Sequence, residues 1–373
     1  MLTLGVESSC DETAAAVLEN GQRILSNVVA SQVDVHKKYG GVVPELASRN
    51  HLKNISPVVK AALAKADVLR QHLDGVAVTQ GPGLVGSLLV GINYAKALCF
   101  GLDLPLVGVN HIEGHIFSVP LTIWQEEQHH GASKTDLNQL LPSLALVVSG
   151  GHTSLFWIEN LGHDVKARAR YQLIGRTRDD AAGEAFDKVA KLLGFGYPGG
   201  AFIEHIAKRG NPLAVDLPIP RIRGGTLDFS FSGIKTAVLR YTQAHLSQEL
   251  AHLEHSSNPR SMVETIPQSI LDLAASFQHT VIRILSNKLD AAIEIHQPRS
   301  IMVSGGVACN QALRQHLQDR FQNKNLPVYF PTPILSTDNA AMIAAAGYPK
   351  LLKKQFAALD LNADLHLKLG DCD

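Results

Sequence analysis

Residues 4–17 read as a short strand, a polar turn, a threonine and a second strand, and residues 146–157 repeat that order through Ser149-Gly150-Gly151-His152-Thr153. Each hairpin is followed further along by an apolar strand that feeds a glycine-bearing turn and a helix. In the first half that unit is Val76-Ala77-Val78-Thr79-Gln80-Gly81-Pro82-Gly83, and in the second it is Ile301-Met302-Val303-Ser304-Gly305-Gly306. Two similar α/β lobes facing each other enclose a cleft, with polar turns from both lobes aimed into it. Such units are common, and two matched pairs alone do not separate duplication from coincidence.

Strand-like runs at 2–7, 14–18, 23–29, 75–79, 144–149, 154–158 and 301–304 alternate with helical stretches at 44–66, 84–100 and 261–295, which predicts an α/β chain. The expected organisation is a first lobe at 1–120, a surface loop at 121–140, a second lobe at 141–350 with a helical insertion at about 178–295, and a C-terminal segment at 351–373. The 34 basic residues cancel the 34 acidic ones, so bulk charge offers phosphate no long-range attraction. Affinity for nucleic acid must come from local patches or a partner protein. The longest uncharged apolar stretch, 81–95, contains Asn93 and four glycines and is shorter than the ~20 residues that cross a bilayer. No membrane span is expected, and the first apolar run ends at Glu7, too early for a secretory signal. Cys10, Cys99, Cys309 and Cys372 form no CxxC pair, which points to a reducing cytoplasm rather than a disulfide framework.

His111 and His115 lie four apart, so on a helix they differ by ~40° and share one face, as metal ligands do. Glu113 is ~200° around the helix from His111, which deprives a zinc-peptidase reading of its general base. In a chain with 17 histidines, the pair alone equally describes two ordinary imidazoles. A carboxylate is available in Ser336-Thr337-Asp338-Asn339, where helix capping explains Ser336 or Thr337 better than Asp338 and Asn339 together. Two histidines and a carboxylate leave coordination positions open and suit Fe(II) or Zn(II), between which the sequence does not choose.

The turns at 8–13 and 149–153 offer amides and hydroxyls, with glycines in the second that let main chain approach a phosphate. Residues 304–310 open a helix after an apolar strand, but no Walker lysine follows. Asp180, Glu184, Asp187 and Lys188 fall on one helical face, which a solvated surface explains as readily as a site. In Gly196-Tyr197-Pro198-Gly199-Gly200 the glycines would let backbone lie flat against a planar ring.

Taken in order, these segments resemble one family: Gly5-Val6-Glu7-Ser8-Ser9-Cys10-Asp11-Glu12-Thr13, Tyr39-Gly40-Gly41-Val42-Val43-Pro44-Glu45, Thr79-Gln80-Gly81-Pro82-Gly83, Asn110-His111-Ile112-Glu113-Gly114-His115, Val148 to Thr153, Asp179 to Lys188, Tyr197 to Gly200, Phe229-Ser230-Phe231-Ser232-Gly233-Ile234-Lys235-Thr236, and the turns at 304–310 and 337–339. The family is the bacterial tRNA N6-adenosine threonylcarbamoyltransferases, formerly called O-sialoglycoprotein endopeptidases, of the actin-like ATPase and sugar-kinase superfamily. The resemblance covers nearly the whole chain and implies two duplicated actin-like lobes around a central cleft. It implies that threonylcarbamoyl-adenylate donates its threonylcarbamoyl group to N6 of the adenosine 3' of the anticodon in tRNAs reading codons that start with A, releasing AMP. It also implies one Fe(II) per subunit, held by His111, His115 and Asp338. Carried over by motif, Val148, Ser149, Gly150, Gly151 and His152 contact the donor, Asp187 and Gly200 hold its ribose and adenine side, and Asn310 completes the nucleotide site. Asp11 and Glu12 are the implied acidic pair at the reacting centre. Auxiliary proteins of the pathway, an inactive paralogue and a small ATPase among them, are the implied partners.

An adenylate is already an activated mixed anhydride, so no serine or cysteine nucleophile is required. A carboxylate such as Asp11 would take the proton of the attacking amine, and amides at Gly150 and Gly151 would balance developing negative charge. The alternative is an ATP-dependent kinase or ATPase of the same architecture, which would hold Mg²⁺ through carboxylates and waters rather than through HxxxH. For tRNA, Arg221, Arg223 and Lys235 bracket residues 229–232 and are expected to border a groove in which an aromatic ring stacks on a flipped base.

Overall fold

The computed structural model describes residues 1–130, 135–163, 167–220, 222, 224, 226–254 and 263–370, without the side chains of 129, 130 and 252–254. The first half runs β1 (Leu2–Glu7), β2 (Glu12–Glu19), β3 (Arg23–Ser31), α1 (Val33–Lys37), α2 (Pro44–Ala66), β4 (Gly75–Gly81), α3 (Val85–Leu102), β5 (Leu106–Asn110) and α4 (His111–His130). Its sheet has the order β3-β2-β1-β4-β5. Short turns make β1–β2 and β2–β3 antiparallel, whereas crossovers through α2 and α3 make β4 and β5 parallel to β1.

The second half runs β6 (Ser143–Val148), β7 (Thr153–Asn160), β8 (Arg170–Arg176), α5 (Ala182–Leu192), α6 (Gly200–Ala207), α7 (Ser232–His245), α8 (Ser247–Glu254), α9 (Gln268–His296), β9 (Ser300–Ser304), α10 (Gln311–Gln322), β10 (Val328–Tyr329), α11 (Pro333–Ser336) and α12 (Ala340–Leu352). The second sheet, β8-β7-β6-β9-β10, repeats the first strand for strand and direction for direction. Helices α5 to α9 stand between β8 and β9, where the first lobe has α1 and α2. The chain is therefore a duplicated α/β structure with extra helices in its second half.

The helix that ends each half crosses to the other. α4 leaves the first sheet and packs on β6 and β9, while α12 leaves the second sheet and covers β1, β2, β4 and β5. Ile116 and Phe117 of α4 and Met342 and Ile343 of α12 share one buried cluster with Ala14, Ala77 and Val107 of the first sheet and Ala145, Val147 and Phe156 of the second. This exchange corrects two sequence expectations. In its described residues, 121–130 and 135–140, the span 121–140 is not a surface loop: α4 continues to His130, and Leu121, Thr122, Ile123, Trp124, Leu137 and Leu140 are buried. Its apolar positions pack against both lobes at once, so they lack the one-sided stripe by which a surface helix is recognised. Nor does 141–350 form one lobe, because α12 belongs to the first sheet by packing.

The crossing demands small residues. A Cβ on Gly5 of β1 would lie 2.2 Å from Ala340 O and 3.0 Å from Ala344 Cβ. Backbone cannot yield as a side chain can, so Gly5→Ala is expected to lower stability by at least the ~1–3 kcal/mol of an overpacked core, a loss that urea unfolding would measure. An unchanged midpoint and slope would show that α12 shifts without cost.

Among the described residues α3 is long and apolar enough to span a membrane by length and composition. Leu88, Ile92, Ala95 and Cys99 instead bury one side of it in the first lobe's outer core. The C-terminal segment returns along the first lobe, with Ala357 N donating to Leu106 O at 2.8 Å and Asp364 N to Gln80 O at 3.0 Å.

Candidate metal centre and substrate cleft

The two crossing helices begin side by side at the base of the cleft. Asn110 closes β5, and its Oδ1 accepts from Ile112 N at 2.9 Å, so α4 starts at once and His111 occupies its first turn. At the other helix Asn339, not Ser336 or Thr337, is the cap: its Oδ1 accepts from Met342 N at 3.1 Å, which leaves the Asp338 carboxylate free to turn inward. Asp338 Oδ1 lies 3.7 Å from His111 Nε2 and 3.2 Å from His115 Nε2. Ligand atoms of the three residues all fall within 4.8 Å of one another, although 223 positions separate His115 from Asp338.

These residues fit a metal ion. The donors of one ion bound at ~2.1 Å sit about 3–3.5 Å apart, close to the spacing seen. His115 is fully buried, and neither ring nitrogen makes a hydrogen bond, although the Asp338 carboxylate lies 3.2 Å from Nε2. A buried imidazole without partners is costly unless something else converges on it. Burial opposes charge on His111, but the Asp338 and Glu7 carboxylates outweigh it and push the ring up to about 9. Burial likewise opposes ionisation of Asp338, and His111 and His115 overcome it and hold its carboxyl well below the usual range. Glu113 points away: Lys350 Nζ meets its Oε2 at 3.0 Å and Tyr171 OH donates to its Oε1 at 3.4 Å, so it ties α4 to α12 and β8.

Above this cluster opens a cleft of ≈ 870 Å³. Asp11, Glu12, Ser149, Gly150, Gly151, His152, Asp187, Gly200 and Asn310 all line it, together with His111 and Asp338. Tyr197 OH reaches across from the second lobe to Asp11 Oδ2 at 3.4 Å. Burial first, then the charges of Asp11 and Asp338, push Glu12 up to about 9. Burial, helped by the charges of His111 and His115, lowers His152 to about 4 and keeps its ring neutral at ordinary pH.

The Glu12 shift has a consequence for stability. The folded chain keeps this proton to about pH 9, whereas the ordinary value is 4.5. The folded state therefore binds more protons between those limits, and its stability falls as pH rises through that window. Glu12→Gln removes this contribution, so melting curves of the metal-free variant should show a higher Tm than wild type near pH ~8 and converge toward pH ~4. Parallel curves would mean that Glu12 is ionised in the folded chain.

In the second lobe Ser149 N donates to His152 O at 2.8 Å and His152 N to Ser149 Oγ at 3.1 Å, a closed turn that leaves Gly150 and Gly151 exposed to the cleft. A Cβ on Gly183 would lie 2.6 Å from Ser149 O, so the start of α5 presses on this turn. Gly305 has φ +94°, and a Cβ there would meet Val148 O at 2.3 Å. Val148 itself is fully buried at the end of β6, directly before the turn at 149–152, and is not among the residues that line the cleft. Asp187 Oδ1 accepts from Gly199 N at 2.6 Å, which pins the Gly199-Gly200 turn at the start of α6. Asn310, which lines the cleft, caps α10 by accepting from Leu313 N at 2.9 Å and donates to Gln278 Oε1 at 2.7 Å, so its side chain is held in one orientation. Asp180 and Glu184 pair with Lys188 at 2.7 and 2.8 Å.

Arg221 and Arg223 lie outside the described residues. Lys235 Nζ sits 3.5 Å from Asp180 Oδ2 rather than standing apart. Phe229 and Phe231 are fully buried and stacked at 6.4 Å, so neither ring is available to a flipped base. The sequence took their spacing for an exposed motif, but alternate aromatic residues between serines also describe a strand-like segment turned into a core, and the core wins. Glu7, Ser9 and Tyr197 entered the reading as parts of motifs without roles; an acidic residue ending an apolar strand was the available signal for Glu7.

A family model described as tRNA N6-adenosine threonylcarbamoyltransferase matches residues 23–345. The protein of that name from Koribacter versatilis is 49% identical over 387 aligned positions, covering 98% of each chain. Its counterpart from Symbiobacterium thermophilum is 49% identical over 369 positions, covering 99% of this chain and 97% of that one. The one from Clostridium perfringens strain 13 is 46% identical over 371 positions, with 99% and 98% covered. Among solved structures, full-length HypF in its phosphate- and nucleotide-bound form matches with TM-score 0.52 and 12% identity over 96% of this chain and 56% of that chain, a likeness of fold alone.

Proposed function

The chain belongs to the tRNA N6-adenosine threonylcarbamoyltransferase family, and on that premise we propose that its cleft takes threonylcarbamoyl-adenylate as donor and the adenosine 3' of the anticodon, in tRNAs reading codons that start with A, as acceptor. The observation that carries the reading is two imidazoles and a carboxylate converging beneath a cleft lined by polar turns of both lobes. In the reaction N6 attacks the carbamoyl carbon, the bond from that carbon to the phosphate oxygen breaks, and AMP leaves. Fe(II), one per subunit, would be held by His111, His115 and Asp338 and would supply a Lewis acid for a donor oxygen; Zn(II) suits the same donors.

The chain's own residues do the rest. Asp11 accepts the N6 proton as the new bond forms. Glu12, protonated up to about 9, donates a hydrogen bond instead. The exposed amides of Gly150 and Gly151 face developing negative charge, and the start of α5 lies beside them. Asp187 and the Gly199-Gly200 turn receive the nucleoside end, and Asn310 at the start of α10 completes the nucleotide site. A net charge of zero favours help from auxiliary proteins in holding tRNA. Cys10, Cys99 and Cys309 are free thiols, as suits the cytoplasm.

The test is transfer from threonylcarbamoyl-adenylate to unmodified tRNA by the chain with its partner proteins, with bound metal measured by elemental analysis on the same sample. No transfer with all components present would remove the reading. Within it, Asp187→Ala should raise the apparent KM for the donor severalfold with a smaller change in kcat, since a ground-state contact and its turn are lost. A pure kcat defect at saturating donor would contradict a binding role.

A further inference from the structure

Glu7 ends β1, is fully buried, and takes no part in the steps described above. Its Oε1 accepts from Ser9 N, and its Oε2 accepts from Thr79 Oγ1 at 2.7 Å. The same Oε2 lies 3.1 Å from His111 Nδ1. Donors from β4, from the turn after β1 and from α4 thus fix the carboxylate in one orientation. An imidazole that donates through Nδ1 keeps its lone pair on Nε2, and Nε2 is the atom that faces Asp338. Ser9 Oγ, 3.2 Å from Nδ1, is a more distant and uncharged partner. His115 Nδ1 has no hydrogen-bond partner, so only one of the two imidazoles has such a support.

We propose that Glu7 is a positioning residue of the metal centre: it holds His111 in the Nδ1–H tautomer with Nε2 presented to the ion, and through Ser9 N it ties that orientation to the turn carrying Asp11. Carboxylates behind metal-binding imidazoles act in this way, fixing the ring and raising its basicity. The proposal rests on the reading of His111, His115 and Asp338 as ligands.

The experiment uses the full chain and Co(II) alone as probe. Affinity is measured by calorimetry and visible absorption for wild type, Glu7→Gln, Glu7→Ala and His115→Ala, and the His111 tautomer is read by ¹⁵N NMR in the metal-free chains above about pH 9, where the ring is neutral. Glu7→Ala should bind Co(II) about 10–100-fold more weakly and show a mixture of His111 tautomers, while thermal unfolding stays cooperative. Glu7→Gln keeps one acceptor and should fall between; if Glu7→Ala does not fold, Glu7→Gln decides. Wild-type affinity together with the wild-type tautomer in a folded Glu7 variant would overturn the proposal alone. Failure of wild type to take up Co(II), or unaltered binding by His115→Ala, would overturn the ligand reading and the proposal with it.

Discussion

Asp338→Ala is expected to lose bound metal and transfer activity together. Asp338 supplies the only carboxylate of the three-residue cluster, and both imidazoles face its Oδ1. Its removal leaves two neutral donors at a buried position, where a divalent ion has lost its water and gained no compensating charge. Removing a partner behind a ligand costs about 10–100-fold in metal affinity or activity, and removing the ligand itself should cost more. His111→Ala and His115→Ala should behave alike, since each opens the same site to water. Elemental analysis of the purified variant, alongside transfer to unmodified tRNA and a circular dichroism spectrum, separates this from unfolding. Full metal occupancy in a folded Asp338→Ala would take Asp338 out of the ligand set.

Asp11→Asn should cut kcat by about 10²–10⁴-fold while leaving metal content and donor KM near wild type. Three groups near the metal cluster could receive the N6 proton, and their surroundings distinguish them. Glu12 already carries its proton up to about 9, and His152, lowered to about 4, is a weak acceptor. Asp11 remains, with Tyr197 OH at 3.4 Å to hold Oδ2 in place. Glu12→Gln, which imitates the protonated acid, should then retain most of the rate. Comparable turnover by Asp11→Asn and wild type at saturating donor would put the base elsewhere.

Much of the fold was legible because it is local. Strands β1 to β4 and helix α2 follow from runs of apolar and β-branched residues, and α2 was read at the bounds it has, 44–66. The duplication showed as two repeated hairpin-and-crossover units, and both sheets realise it. β5, β8 and β10 went unseen: β10 is two residues long, and β8, Arg170 to Arg176, mixes polar and apolar side chains without a period of two. The resemblance of ordered motifs added what periodicity does not encode, namely which turns share a cleft. It gave no sign of the strand burial of Val148 or of the cap that Asn310 makes on α10.

What the sequence determined by itself is the facing of His111 and His115, since four residues of helix bring two rings to one side whatever surrounds them. Only the tertiary structure decided that Asp338 joins them. That meeting requires α4 and α12 to leave their own sheets and cross, which depends on Gly5 and Gly347 admitting α12 against the first sheet's backbone and small side chains. Glu7 behind His111 has the same origin, with 104 positions between the two. Spacing along a helix is set by bonds a few residues long, whereas the partner of a buried carboxylate is chosen by the packing of every layer between them.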